Sequence, residues 1–347
     1  MLTGPVRASL LLATLAVAGC HAVVVVAALD EHDLSSGTSD PSTDDPSTAA
    51  GSTDPTTTAA CEPLPLAACD DDLDPFHALG LGCPGAPLDE ATLLSKDPFA
   101  ARTAVQLGNA VWTARAGSKL LALTTGVLPA PDPSGLITIA AGAATPGTAN
   151  DNPDAAPLPA PADAAAVGDH WQVAQSFDLV ALRFAAAVPG DMRGFAVDVA
   201  LLTAEFPRRA DQEPGDALAV WLTSERFTGD VARLGDDPLT PHALRDEIAD
   251  GGLFGDAPAL LGTGMDGVTA EACDYGWAGF AMCPVGGALA WHTLRAAVSP
   301  GEAIVVVVAL ADHGDAGRDT LALLDAWRWT CDACTPDVDC GLTPADP

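Results

Sequence analysis

Three aspartates, Asp312, Asp315 and Asp319, fall within the short run DHGDAGRD, spaced by three and four residues around two glycines. Carboxylates gathered on a flexible loop suit Ca2+, a hard cation that collects about six to eight oxygen ligands, so the run is a candidate calcium site. The alternate-residue spacing of an EF-hand is missing, and Asp and Gly also serve a plain hairpin turn. A second acidic run, Asp70-Asp71-Asp72 with Asp74, needs a cation or open water, and water is the ordinary answer. Glu205 closes one apolar segment and Asp216 opens the next. Two carboxylates brought together can perform acid/base chemistry of the kind used on glycosides. The structural alternative is that Glu205 accepts backbone N–H groups in the strand connection while Asp216 closes a turn.

Other reactive types form no known constellation. The histidines (His21, His32, His77, His170, His242, His292 and His313) are scattered, with no HExxH, G-x-S-x-G or P-loop pattern. Zincin, α/β-hydrolase and nucleotide-binding chemistries therefore lack support. His170 beside Trp171 and His292 beside Trp291 read as strand residues packed on an aromatic. Trp327 and Trp329 share a strand face that suits sugar stacking or, more simply, the core.

Cys20 stands apart from the other eight cysteines: Cys61, Cys69, Cys83, Cys273, Cys283, Cys331, Cys334 and Cys340. An even number fits a disulfide framework in an oxidising compartment, although spacing does not fix the pairing. Nearness favours a Cys273–Cys283 loop, and bridges among the rest would tie the ends of the domain together. Cys331-x-x-Cys334 also has zinc or redox spacing. Cys340 offers a third ligand and no fourth is found beyond it, and the pair lies in a Pro- and Asp-containing tail rather than at a helix start.

The elements that must position these residues begin after a distinct leader. Met1 to Gly19 carries Arg7, then the apolar run ASLLLATLA, and ends in Val17-Ala18-Gly19-Cys20. This reads as an export signal, and its ending resembles a bacterial lipobox in which the Cys20 thiol takes a diacylglycerol. Apolar character resumes after Cys20, so Ala8 to Leu29 is also long enough for an uncleaved signal anchor, and cleavage near Ala27 or Ala28 is a third route. All three routes export the C-terminal portion of the chain. Residues 30–60 are rich in Ser, Thr, Pro and Asp and contain no Lys, Arg or aromatic residue. They cannot bury enough surface to offset their ordering entropy, so a disordered, solvated stalk is expected.

The chain holds 15 Lys+Arg against 47 Asp+Glu, a formal charge of −32 over 347 residues. That balance repels phosphate backbones and excludes general nucleic-acid binding. Anionic lipid surfaces are equally poor partners for the folded part, so membrane attachment falls to the N-terminal lipid.

From Leu120 onward, short segments rich in Val, Leu and Phe and bounded by Gly, Pro or Asp read as strands: LLALTTG, LITIAAG, SFDLVALRF, FAVDVALLTAEF, ALAVWLTS, EAIVVVVALAD and TLALLDAWRW. Alternation places Phe177, Leu179 and Ala181 on one face and Phe195, Val197 and Val199 on another. Ile304 to Val308 is apolar on both faces and predicts a central, covered strand. Helical spacing predicts a helix within 98–116, and Thr240-Pro241 predicts a cap for a short helix through Ala249. The pattern as a whole predicts an all-β, two-sheet, jelly-roll-like sandwich over 61–335, with one or two short helices. Residues 129–168 form a long loop or insertion at its edge, and 336–347 a tail.

The strand segments also resemble a known family. Leu123-Thr124-Thr125-Gly126, Thr203-Ala204-Glu205-Phe206-Pro207 and Gly215-Asp216-Ala217-Leu218-Ala219-Val220-Trp221-Leu222 look like parts of the bacterial choice-of-anchor L domain. Val298-Ser299-Pro300-Gly301-Glu302, Ala311-Asp312-His313-Gly314-Asp315 and the run from Asp319 to Trp329 are similar to its closing strands. The likeness spans about Cys61 to Cys334, nearest to lipid-anchored, myxobacterial-type members. Gly215 replaces the family's Asn, Phe206 its Tyr, and 226–260 has no counterpart. The resemblance implies an exported β-rich surface domain with no general assigned chemistry. Residues and resemblance together lead to the expectation of a cell-surface lipoprotein, at the outer membrane or beyond, serving adhesion, matrix contact or recognition of a glycan or protein without catalysis. A secreted carbohydrate-active hydrolase and a structural envelope component are the alternatives.

Overall fold

The computed structural model describes residues 61–62, 64, 68–109, 111–144, 147–207, 215–269, 283–314, 317–335 and 338–346. Cys20, the Ala8–Leu29 run, the 30–60 stalk, Cys273 and Asp315 lie outside the described residues. No described helix is long and apolar enough to cross a membrane.

Among the described residues, eleven strands build two antiparallel sheets: β1 (Glu90–Leu94), β2 (Ala101–Ala104), β3 (Leu120–Thr124), β4 (Ser176–Ala187), β5 (Gly194–Thr203), β6 (Ala217–Thr223), β7 (Thr228–Asp230), β8 (Gly287–Ala297), β9 (Ala303–His313), β10 (Thr320–Thr330) and β11 (Gly341–Pro344). The first sheet runs β1-β4-β9-β6-β7 and the second β11-β8-β5-β10-β3-β2. The protein is thus an all-β sandwich, as its strand pattern predicts. The apolar β9 is central, paired with β4 on one side and β6 on the other.

Period-2 alternation explains the main core. Val180, Leu182 and Phe184 of β4, Leu218, Val220 and Leu222 of β6, and Ile304, Val306, Val308 and Leu310 of β9 meet the inward residues of the second sheet. Those include Phe195, Val197, Val199 and Leu201, the face expected for β5. On β10 the inward set is Ala322 and Leu324, then Trp327 and Trp329. A register shift between Asp325 and Arg328, with Ala326 at φ 56°, moves the alternation by one residue. The tryptophans are core residues: Trp327 stacks on Phe195 at 4.2 Å and meets Phe184 edge-on at 5.1 Å.

Both outer faces are covered too. Leu107, Trp112, Leu128 and Ile137 pack with Leu120, Ala122, Leu202, Leu321 and Leu323 on the second sheet. Leu158, Val167 and Trp171 cover Leu179, Ala181, Trp221, Val307 and Ala309 on the first. The segment 129–168 therefore lies over sheet faces rather than at an edge. Leu179 and Ala181 do share a face, the outer one; Phe177 precedes a register shift and is half-buried.

The helix expected within 98–116 is absent from the described residues of that segment. Ala101–Ala104 pairs with β3, and the short strands Gln106–Leu107 and Trp112–Thr113 pair with each other. Hydrogen bonding to β3 outweighs the weak local helical spacing, and Gly108 at φ 56° breaks the run. The later helix runs Arg245–Gly251 and ends on Gly252 in the left-handed region. Thr240 starts the preceding turn, accepting Leu244 N–H at its carbonyl and Ala243 N–H at its hydroxyl.

Among the described residues, disulfides join Cys61 to Cys331, Cys69 to Cys83 and Cys334 to Cys340. The first closes 270 residues and ties the domain's ends. Cys331 and Cys334 have different partners, which removes the zinc and redox readings of their spacing. The expected Cys273–Cys283 pair lies outside the described residues at Cys273.

Candidate functional site

At one end of the sandwich the inward positions change from apolar to polar on six strands at once. Continuing each alternation past the core leads from Val180 to Asp178, from Leu218 to Asp216, from Leu310 to Asp312, from Leu201 to Thr203, from Ala322 to Thr320 and from Leu123 to Thr125. The strand registers bring these positions together: Leu310 lies opposite Leu218 and Val180, and Thr320 opposite Thr203. Asp178 is aimed by its backbone. It adopts φ 52° where β4 and β9 shift register between Leu310 and Asp312, a conformation Asp tolerates better than most residues.

Four residues picked out in the sequence as two separate constellations thus share one place. Asp216 donates its backbone N–H to Glu205 Oε2 at 3.1 Å, so Glu205 takes the backbone-accepting role of the structural alternative. Asp216 Oδ1 accepts His313 N–H at 3.3 Å, and its carboxyl faces that of Asp312. Exposure is 3% at Glu205, 1% at Asp216, 3% at Asp312 and 4% at Asp178. Acid/base work on a glycoside needs both carboxylates within reach of the scissile bond, and neither Glu205 nor Asp216 is open to solvent. Asp319 is the half-buried member, with its oxygens accepting Thr148 N–H at 3.0 Å and Thr148 Oγ1–H at 3.2 Å. It also lines a cavity of about 250 Å3 with Thr124, Thr148 and Thr263. Asp315, the third residue of the expected loop, lies outside the described residues.

Burial drives the electrostatics. Loss of solvation, then the facing Asp312, pushes the Asp216 carboxyl well above its ordinary range. Asp312 rises to about 8 through burial and the nearby Glu205, Asp178 and Asp319 carboxylates. Asp178 rises to about 7 through burial and Asp154, and Asp319 to about 6 through burial opposed by its Thr148 bonds. Arg318, 7% exposed, is directed to the Ala204 carbonyl at 3.2 Å. His313 belongs to the opposite face: its ring meets Trp171 edge-on at 4.7 Å, and burial lowers it to about 4, so it stays neutral.

Asp178, Asn150 and Thr148 do not stand out in the sequence. Asn150 Nδ2 donates to Thr125 O at 3.0 Å and Asp178 O at 3.3 Å, and its N–H reaches Asp178 Oδ1 at 3.2 Å. The signal lies in Asp178-x-Val180-x-Leu182-x-Phe184, where a charged residue occupies the next inward position of an otherwise apolar series. In the acidic run from Asp70 to Asp74, Asp74 caps the helix Pro75–Leu79, Asp72 pairs with His77 at 2.9 Å, and Asp70 Oδ2 accepts Ser118 and Lys119 N–H. His292 is buried in β8, its Nδ1 at 2.9 Å from Ala290 O.

No protein-family model, curated protein or solved structure matches this chain. Fold and site define it as a disulfide-bridged, all-β sandwich with a carboxylate-rich end.

Proposed function

We propose that the protein is an exported, envelope-anchored lipoprotein whose sandwich head binds a surface ligand, a glycan or a protein, without catalysis. Cys20 carries the lipid, 30–60 spaces the head from the membrane, and the resemblance to choice-of-anchor L domains belongs to the same reading. The observation that supports it most is the set of disulfides, since such bonds persist in oxidising compartments and are rare where thiols are kept reduced. Topology adds a direction. Thr330 ends β10 next to Cys331 and its bridge to Cys61, while Thr320 begins it among the carboxylates. An 11-residue strand separates the two ends by about 33 Å. The carboxylate-rich end thus lies at the far end of β10 from the Cys61–Cys331 bridge.

Expression with the native leader in a lipoprotein-processing bacterium tests the reading. Mass spectrometry of the membrane fraction should find a mature chain beginning at a diacylglyceryl-modified Cys20 with no free thiols in the head. Cys20→Ala should release the protein from that fraction. An untrimmed N-terminus accompanied by free thiols throughout would overturn it.

A further inference from the structure

We propose that the cleft between the sheet edges at β7 and β11 binds one neutral hexose unit of a glycan, with Phe227 against the sugar ring and Arg226, Arg233 and Asp236 bonded to its hydroxyls. The inference rests on the reading of the head as a ligand-binding module and narrows its ligand. The cleft holds about 490 Å3, within the range of roughly 300–1,000 Å3 usual for small-molecule sites. Strands β7 and β11 are the outermost members of the two sheets, so the sandwich is open between them. The floor is apolar, made by Leu222, Val231 and Leu342 of the main core. Arg226 and Asp236 are exposed, so the cleft runs from that core to the surface.

Its walls are braced before any ligand arrives. Phe227 sits on a turn in which Ser224 N–H and Oγ–H both donate to the Phe227 carbonyl, at 2.9 and 3.0 Å, and Ser224 Oγ accepts Phe227 N–H at 3.0 Å. A Cβ on Gly229 would come within 2.9 Å of the Phe227 ring, so the glycine lets the ring lie against β7. Behind it, Asp230 Oδ1 accepts the N–H groups of Val220 at 2.9 Å and Ala232 at 3.0 Å. Arg233 Nη1 donates to the Asp236 carbonyl at 2.8 Å. The facing wall, 338–343, is tied by the Cys334–Cys340 bridge, and a Cβ on Gly341 would stand 2.8 Å from the Arg233 carbonyl oxygen. Side chains fixed in this way lose little freedom when they close on a ligand.

The side chains select the ligand class. A sugar ring presents an apolar C–H face to an aromatic ring and hydroxyls that both donate and accept. Guanidinium groups supply donors and carboxylates supply acceptors, and this cleft carries both, with Arg226 free of an acidic partner among the described residues. An acyl chain would leave those charged groups unmatched. A polyanionic glycan would meet the repulsion of a chain with a formal charge of −32, which leaves the neutral sugars.

A glycan array probed with the oxidised full chain, followed by calorimetric titration of the bound oligosaccharides, tests this. Neutral hexose oligosaccharides should bind one to one. Phe227→Ala should weaken them about tenfold through the lost stacking face. Asp236→Asn, at an exposed position, should weaken them by a similar factor without moving Tm, so the site is tested even if Phe227→Ala fails to fold. Undiminished affinity in Asp236→Asn and in a folded Phe227→Ala overturns the site. Silence across the neutral glycans, or binding confined to uronate or sulfated glycans or to myristate, overturns the assignment. If that chain is nevertheless lipidated and oxidised, the anchored-head reading stands while the sugar site falls.

Discussion

Asp178, Asp312 and Asp319 hold their protons more tightly in the folded chain than in the unfolded one, where a carboxyl titrates near its ordinary value of 3.8. The native state therefore binds more protons over roughly pH 4 to 8. Stability without divalent cations is greatest at the acid end of that window and falls as pH rises through 6, 7 and 8. Each such proton contributes a slope of about 1.4 kcal/mol per pH unit where it alone titrates. Asp312→Asn keeps the side-chain shape and deletes the carboxyl that titrates near 8, so melts in chelator should lie flatter between pH 6 and 8. An unchanged slope would show that Asp312 does not carry this dependence. Gly126 offers a second residue-scale test, because a Cβ there would collide with the Asp319 carboxylate. Gly126→Ala should displace Asp319 from Thr148 and cost roughly 1–3 kcal/mol in urea denaturation.

Among the elements, Trp327 shows how much depends on one strand keeping its phase. It is 1% exposed and touches Phe184, Phe195 and Trp329 across the interior, so Trp327→Ala should cost about 3–5 kcal/mol by chemical denaturation. A loss below about 1 kcal/mol would mean that the β10 bulge does not aim it inward. The strands with strong alternation, β4, β5, β6, β9 and β10, are legible in the sequence because Val, Leu and Ile recur at every second position. β8 is not. GALAWHTLRAA mixes Ala, His, Thr and Arg, and its strand state comes from pairing with β5 and β11. The false helix within 98–116 fails for the same reason, a weak local signal overruled by partners distant in sequence. The carboxylate-rich end is half legible. Glu205, Asp216, Asp312 and Asp319 each stand out, but local spacing hides that the two connections carrying them, each running from one sheet to the other, meet at one end, and the sequence marks Asp178 only as a charged residue continuing an apolar alternate series.

For the whole molecule the governing constraint is the bridge between Cys61 and Cys331. Loops of this length lose roughly 3–5 kcal/mol of unfolded-state freedom when closed, so the double variant Cys61→Ser/Cys331→Ser should unfold at correspondingly lower denaturant. Limited proteolysis should also start at its ends, whereas loss of Cys334–Cys340, which spans only 6 residues, should matter less. Equal sensitivity of the two variants would show that the long bridge adds no special constraint. The same bridge has a mechanical consequence. Force applied between Cys61 and Asp319 crosses the sulfur bond to Cys331 and runs down the backbone of β10. Its shortest covalent path bypasses residues 62–318, so a tug between these two points loads one strand lengthwise, in shear against its neighbours, instead of peeling the sheets apart from their first residue.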